Sequence, residues 1–207
     1  MPGSGAGHDA TVIGGQLDSE LKDWRKEMRA QLIEARMAVP PEVRARAAEV
    51  ISERLAQLVA PGQVFSFYWP MKGELDFRPL AARLHAQGIT PALPVVLEKR
   101  QPMVFRPWAP RAKMMRGIWN IPQPATEETV VPDVTLAPVV GFSDDCYRLG
   151  YGGGYFDRTL AVLSPRPLAI GVGLEIQRIE TIRPMPHDVR LDAIMTEAGT
   201  TGDVGRP

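Results

Sequence analysis

The chain reads as an α/β protein: a layered, mostly parallel sheet with a helical hairpin at its N-terminus. Three observations predict this. Apolar runs of strand length alternate with helix-like segments from Val64 onward. Two amphipathic stretches with helical periodicity precede that alternation. A glycine-rich turn, Gly150 to Gly154, sits between an apolar run and a helix-like segment, at a strand end where ligands of such sheets gather.

Residues 1–17 are Gly-rich and read as a disordered lead-in, 18–197 as one α/β domain and 198–207 as a flexible tail. Asp18 or Ser19 offers an N-cap for the first helix, whose apolar stripe is Leu21, Trp24, Met28, Leu32 and Ala35. Pro40-Pro41 opens a second helix with Val43, Ala47, Val50, Ile51, Leu55 and Leu58 on one face, and Pro61-Gly62 ends it. Val64 to Trp69 is a strand, Phe77 to Gln87 a helix stopped by Gly88, and Ile89 to Val96 the next strand. Met103 to Trp108 and Thr135 to Val140 are strands, and Tyr155 to Leu163 is a helix. Leu168 to Leu174 and Leu191 to Glu197 complete the sheet.

Composition narrows the function classes. At 207 residues with 44% apolar content, the chain can build a sizeable core. Lys+Arg and Asp+Glu balance at 24 each without a basic block, which disfavours nucleic acid. Cys146 is the single cysteine, so an intrachain disulfide and a cysteine-rich zinc site are excluded. No apolar run approaches the ~18 residues of a membrane span, and the first 17 residues lack signal-peptide features. A cytoplasmic protein, monomeric or weakly dimeric, is expected.

The glycine turn carries the chemistry. Glycines let backbone N–H groups approach a ligand, and a helix N-terminus behind them favours phosphate. Arg148 ahead of the turn can contact phosphate, and Asp157 beyond it can hold Mg²⁺. There is no GxxxxGK[ST], so this is not a P-loop, and GxGxG is a poor match to the dinucleotide GxGxxG. A plain strand-to-helix connection remains the alternative. Lys22, Arg25, Arg29 and Arg36 form a basic stripe on the first helix, either facing phosphate or simply solvated. Trp69, Pro70, Met71 and Glu74 suit a flat heterocycle with N–H donors, or an ordinary loop. Trp119 to Pro124 is a proline-stiffened loop, and Asp188 is either a second carboxylate for a cation or a turn former. His8, His85 and His187 have no triad or zinc partners, and Cys146 lacks a partner histidine for a nucleophile.

The stretch RLGYGGGYFDRTL resembles the signature of the 5-formyltetrahydrofolate cyclo-ligase (methenyltetrahydrofolate synthetase) family. PMKGELD, GIWNIPQP and MPHDVRLDAIMTE support it in the family's order, behind a basic helix with Arg29 and Arg36 seven apart. The resemblance spans roughly Lys22 to Glu197. It implies a Rossmann-like sheet of the NagB/RpiA/CoA-transferase-like kind. It also implies ATP- and Mg²⁺-dependent closure of 5-formyltetrahydrofolate to 5,10-methenyltetrahydrofolate, with release of ADP and phosphate.

By the same resemblance, Arg148 and Tyr151 are the catalytic candidates. Arg25, Arg29, Arg148, Leu149, Gly150, Tyr151, Gly152, Gly153, Gly154, Tyr155 and Phe156 would line ATP. Trp69, Glu74, Trp119 and the run Tyr151 to Tyr155 would border the folate, and Asp157 and Asp188 would bind Mg²⁺. Arg25 stands where a lysine is usual, Ser143 where an aspartate is, and Cys146 replaces a common glycine. A paralogue acting on another N-formyl or amide compound, or a folate- or nucleotide-binding module without turnover, are the competing readings.

Overall fold

The computed structural model describes residues 8–205, with side chains described from Ser19 onward. Its centre is a seven-stranded sheet. Five parallel strands run in the order β10 (Ala193–Met195), β9 (Leu168–Val172), β6 (Val134–Pro138), β1 (Val64–Ser66) and β2 (Thr90–Val95). β3 (Val104–Pro107) closes one edge antiparallel to β2, and β11 (Thr200–Gly202) closes the other antiparallel to β10. The parallel strands are apolar on both faces, as a doubly covered sheet requires.

Helices supply the covering layers. α2 (Pro41–Leu55) buries Ala47, Ala48, Ile51 and Leu55 against Phe65, Leu93 and Leu136. α3 (Arg78–Ala86) adds Leu80 and Leu84 to the same cluster. On the opposite face α4 (Tyr155–Val162) contributes Leu160 to a cluster with Ala137, Phe142, Ala169 and Ile194. α1 (His8–Ala38) meets the carboxyl end of the sheet, where Leu32 packs with Val140, Leu149 and Ile182. A two-residue link, Val39-Pro40, joins α1 and α2, and each spends its apolar face on the sheet layers.

The structure differs from the sequence expectations in particular places. α1 is helical from His8, ahead of the N-cap proposed at Asp18 or Ser19, and residues 1–7 of the expected lead-in lie outside the described residues. The first strand ends at Ser66, because the chain then leaves the sheet to form a loop at its carboxyl edge. The proline-rich WNIPQP segment is the tip and second strand of a hairpin, β4 (Met114–Arg116) with β5 (Pro122–Pro124). Prolines are tolerated there because a two-stranded ribbon leaves half its N–H positions unpaired. β7 (Gly141–Phe142) and β8 (Arg148–Leu149) form a second short hairpin ahead of the glycine turn.

The expected flexible tail is also corrected. Thr200–Gly202 pair with β10, and Val204 packs on the main apolar cluster. The Cys146 thiol reaches this strand, with Sγ 3.6 Å from the Thr201 carbonyl. Cys146 adopts φ 64°, a conformation that glycine takes freely. Burial pushes its thiol pKa up, which agrees with a packing role and not a nucleophile. Among the described residues no helix is long and apolar enough to cross a membrane.

Gly202 has φ 93°, and a Cβ there would come within 2.4 Å of the Asp192 carbonyl and 2.7 Å of Cys146 Sγ. Gly202→Ala is expected to lower unfolding stability by about 2 kcal/mol or more, read as a shifted urea midpoint. A loose tail would leave the midpoint unchanged.

Candidate active site

From β1 the chain proceeds to β2 on one side, whereas from β6 it proceeds to β9 on the other. The strand order therefore reverses between β1 and β6, and a crevice opens beyond their carboxyl ends. The loop after β1 carries Trp69 to Glu74 into this crevice, and the chain after β6 delivers the glycine turn through the β7–β8 hairpin.

Glu74 and Tyr151 meet across it. The Tyr151 hydroxyl donates to Glu74 Oε1 at 2.7 Å, and the Met71 N–H donates to Oε2 at 2.8 Å. Arg36, only 2% exposed, donates from Nη2 to the Tyr151 oxygen at 2.7 Å. Its Nε donates to the Lys72 carbonyl and its Nη1 to the Val139 carbonyl, at 3.1 and 3.2 Å. The Val139 carbonyl also accepts from Gln177, whose amide bridges to Val140 and holds the end of β6. Burial raises the Glu74 carboxyl pKa, and the Tyr151 hydroxyl, the Met71 N–H and Arg36 pull it back down. Burial and the adjacent Glu74 push the Tyr151 phenol far up, so it stays protonated and can donate.

A second group of charges surrounds the glycine turn. Arg29 donates to the Gly150 carbonyl at 2.7 Å, and its guanidinium lies 3.4 Å from where a Cβ on Gly152 would stand. Gly152 has φ 92°, so position and conformation both exclude a side chain there. Arg148 is 7% exposed, contacts Asp157 Oδ2 at 3.1 Å and stacks 5.2 Å from the Phe156 ring centroid. Its Nε is buried without a hydrogen-bond partner, and burial lowers its pKa against the pull of Asp157 and Asp188. Arg158, which the sequence reading missed, donates to the Gly153 carbonyl and has the same unpartnered buried Nε. α4 has Gly154 as its N-cap and so no side-chain cap. Unsatisfied N–H groups and guanidiniums around a glycine turn fit an anion with several oxygens.

The two carboxylates expected to bind metal are held by arginines. Asp157 pairs with Arg148 and accepts the Val189 N–H at 3.1 Å. Asp188 pairs with Arg25 at 2.6 Å and accepts the Met185 N–H. Burial opposes ionisation of Asp188, but these donors outweigh it and keep its pKa low. Arg25 also donates to the Ile182 and Arg183 carbonyls, so it fastens the 182–188 loop to α1. Among the described residues no group of three or more His, Cys, Asp or Glu could cage a metal.

The remaining candidates form the border. Trp69 lines a cavity of about 270 Å³ with Met114, Met115, Arg116 and Pro122, so β4 and β5 wall it. The tip of that hairpin presents Trp119 to Tyr155, with ring centroids 5.3 Å apart and edge-on. The Leu149 side chain is buried in the apolar cluster with Leu32, and only its backbone approaches the turn.

A family model described as the 5-formyltetrahydrofolate cyclo-ligase family matches residues 21–197, nearly the whole described fold. The chain belongs to this family. It is 27% identical over 177 residues to a 5-formyltetrahydrofolate cyclo-ligase of Mycoplasma pneumoniae, covering 84% of this chain and 98% of the relative. The cyclo-ligase of Escherichia coli K12 is 26% identical, with 78% and 93% covered. The solved 5,10-methenyltetrahydrofolate synthetase of Aquifex aeolicus superposes with a TM-score of 0.73 at 27% identity, covering 88% of this chain and 95% of that one. The family match and these relatives cover most of the described fold.

Arg25 and Asp188 are each about nine-tenths buried, so removing either one strands its partner's charge. Arg25→Ala is expected to cost about 3 kcal/mol of stability by denaturant titration. Arg25→Ala and Asp188→Asn combined should cost clearly less than their sum.

Proposed function

We propose that the chain closes 5-formyltetrahydrofolate to 5,10-methenyltetrahydrofolate with ATP and Mg²⁺, releasing ADP and phosphate. Membership of the cyclo-ligase family supports the reaction class. The observation that carries the residue-level reading is the pairing, at one crevice, of a glycine turn ringed by arginines with the Glu74–Tyr151 contact. Phosphoryl transfer needs charge neutralisation and alignment more than a strong base. Arg29, Arg148 and Arg158 supply that charge, and the buried Nε atoms of the last two gain acceptors when phosphate oxygens arrive.

ATP supplies the phosphoryl group that makes the formyl oxygen a leaving group when a ring nitrogen closes on the formyl carbon. Glu74, held as an acceptor by Tyr151 and Met71, orients the folate through its N–H edge. Trp69 and the Met114–Met115 surface offer apolar contact for an aromatic ring. Asp157, whose carboxylate keeps lone pairs beyond its two donors, would hold the Mg²⁺ that comes with the nucleotide, and the ion would supply charge neutralisation for the phosphates. Arg25 and Asp188, neutralising each other, shape the loop behind it. Ser143 and Cys146, which the resemblance marks as departures, engage Asp145 and Thr201 and so hold the β7–β8 turn.

Purified protein with 5-formyltetrahydrofolate, ATP and Mg²⁺ should generate the near-ultraviolet absorbance of the methenyl product with stoichiometric ADP; ADP formed only with another N-formyl compound would overturn the substrate assignment. Asp157→Asn should raise the Mg²⁺ concentration needed for half-maximal rate and lower kcat/KM for ATP on the order of 10²-fold. An unchanged Mg²⁺ dependence removes Asp157 from the nucleotide site. Glu74→Gln should raise the folate KM about tenfold with a smaller change in kcat.

A further inference from the structure

Arg36 is fully buried and has no route to a ligand except through Tyr151. Its Nε, Nη1 and Nη2 donate to three different segments: the Lys72 carbonyl after β1, the Val139 carbonyl after β6 and the Tyr151 hydroxyl in the glycine turn. A guanidinium has donors only and does not lose its proton in proteins. The Tyr151 oxygen must therefore accept from Arg36, and its single proton is left to point at Glu74 Oε1. Glu74 in turn accepts on both oxygens, from Tyr151 and from Met71. Every hydrogen bond in the chain runs one way, from Arg36 outward to Glu74.

We propose that Arg36 is the positioning residue of this crevice: without touching the ligand, it fixes the direction of the Tyr151–Glu74 hydrogen bond, so that Glu74 recognises only a ligand edge carrying N–H donors. The inference deepens the cyclo-ligase reading and rests on it for the identity of that ligand, whose reduced pteridine carries such an edge. With a neutral residue at 36, the chain loses its fixed end. A protonated Glu74 can then donate to the phenol oxygen, and the recognition edge becomes mixed.

The groups that face Glu74 come from every element around it. Tyr68 and Asp76 flank it on the β1 side, Lys72 and Arg36 sit beside Tyr151, and Arg44 and Glu49 of α2 line the cavity of about 330 Å³ that Glu74 also borders. Lys72 lies 5.6 Å from the Tyr151 ring centroid and is hydrogen-bonded through its carbonyl only to Arg36. Of these cations, Arg36 alone is hydrogen-bonded to the Tyr151 hydroxyl.

The test follows the Glu74 carboxyl by ¹³C NMR across pH in the ligand-free protein, assigned with Glu74→Gln, in wild type, Arg36→Gln, Arg36→Lys and Tyr151→Phe. Binding of 5-formyltetrahydrofolate without ATP is measured in parallel at pH 6 and pH 8. In Arg36→Gln the Glu74 titration should move to higher pH, and the folate Kd should rise on the order of tenfold more at pH 6 than at pH 8. Arg36→Lys keeps the charge but cannot span three acceptors, so it should lower stability while largely preserving the Glu74 titration. Tyr151→Phe, with Arg36 intact, should also move the titration upward. A folded Arg36→Gln protein with an unmoved Glu74 titration overturns the proposal. If that variant does not fold, an unmoved titration in Tyr151→Phe overturns it instead. Wild-type protein that binds no folate would refute the cyclo-ligase reading, while the carboxyl titration still decides the role of Arg36.

Discussion

A guanidinium withdrawn from water must find acceptors for its protons, and α1 withdraws two of them fully, Arg25 and Arg36, and a third, Arg29, in part. Arg25, Arg29 and Arg36 stand four and then seven residues apart, which returns them to nearly the same side of a helix over roughly 16 Å. Each finds its acceptors in a different loop at the carboxyl end of the sheet: the 182–188 loop, the glycine turn, and the loops after β1 and β6. The loops differ in sequence and length, and what brings them into one frame is this row of cations, buried at Arg25 and Arg36 and half-buried at Arg29. A lysine row would not serve equally, since one ammonium cannot reach in three directions in a plane.

The same arrangement sets the electrostatics. The acids near the glycine turn are already matched: Asp157 by Arg148, Asp188 by Arg25. What is left over is positive, namely Arg29, Arg158 and the unpartnered face of Arg148. In the proposed reaction an incoming polyphosphate would meet this surplus of donors, while Glu74, the proposed acceptor for the organic substrate, lies on the other side of Tyr151. Anion recognition and N–H recognition share a crevice without cancelling each other.

Much of this was readable in the residues. Alternating apolar runs identified the parallel strands because a sheet covered on both faces needs them continuous. The glycine turn announced itself by composition. The basic stripe was ambiguous, because periodicity can place Arg36 on a face but cannot say that Tyr151, 115 residues away, lies over that face. Asp188 reads as free for a metal for the same reason, since its partner Arg25 is 163 residues distant. β11 and the β4–β5 ribbon are not legible in the residues, because three-residue strands such as Thr-Thr-Gly, Met-Met-Arg and Pro-Gln-Pro are too short to carry a periodic signal and exist only through what they pair with. Arg158, adjacent to Asp157, offered only its charge as a clue.

At position 146 the chain keeps a glycine-like backbone while bearing a side chain, and that side chain fills the space a Cβ on residue 202 would need. The Asp192 carbonyl and the Ala193 backbone also close the same space, so glycine at 202 answers to the sheet edge as well as to the thiol. The hairpin ahead of the glycine turn and the last strand of the sheet therefore constrain one another through a single sulfur atom: a bulkier side chain at 146 would press on the C-terminal strand, and a side chain at 202 would press back on the hairpin.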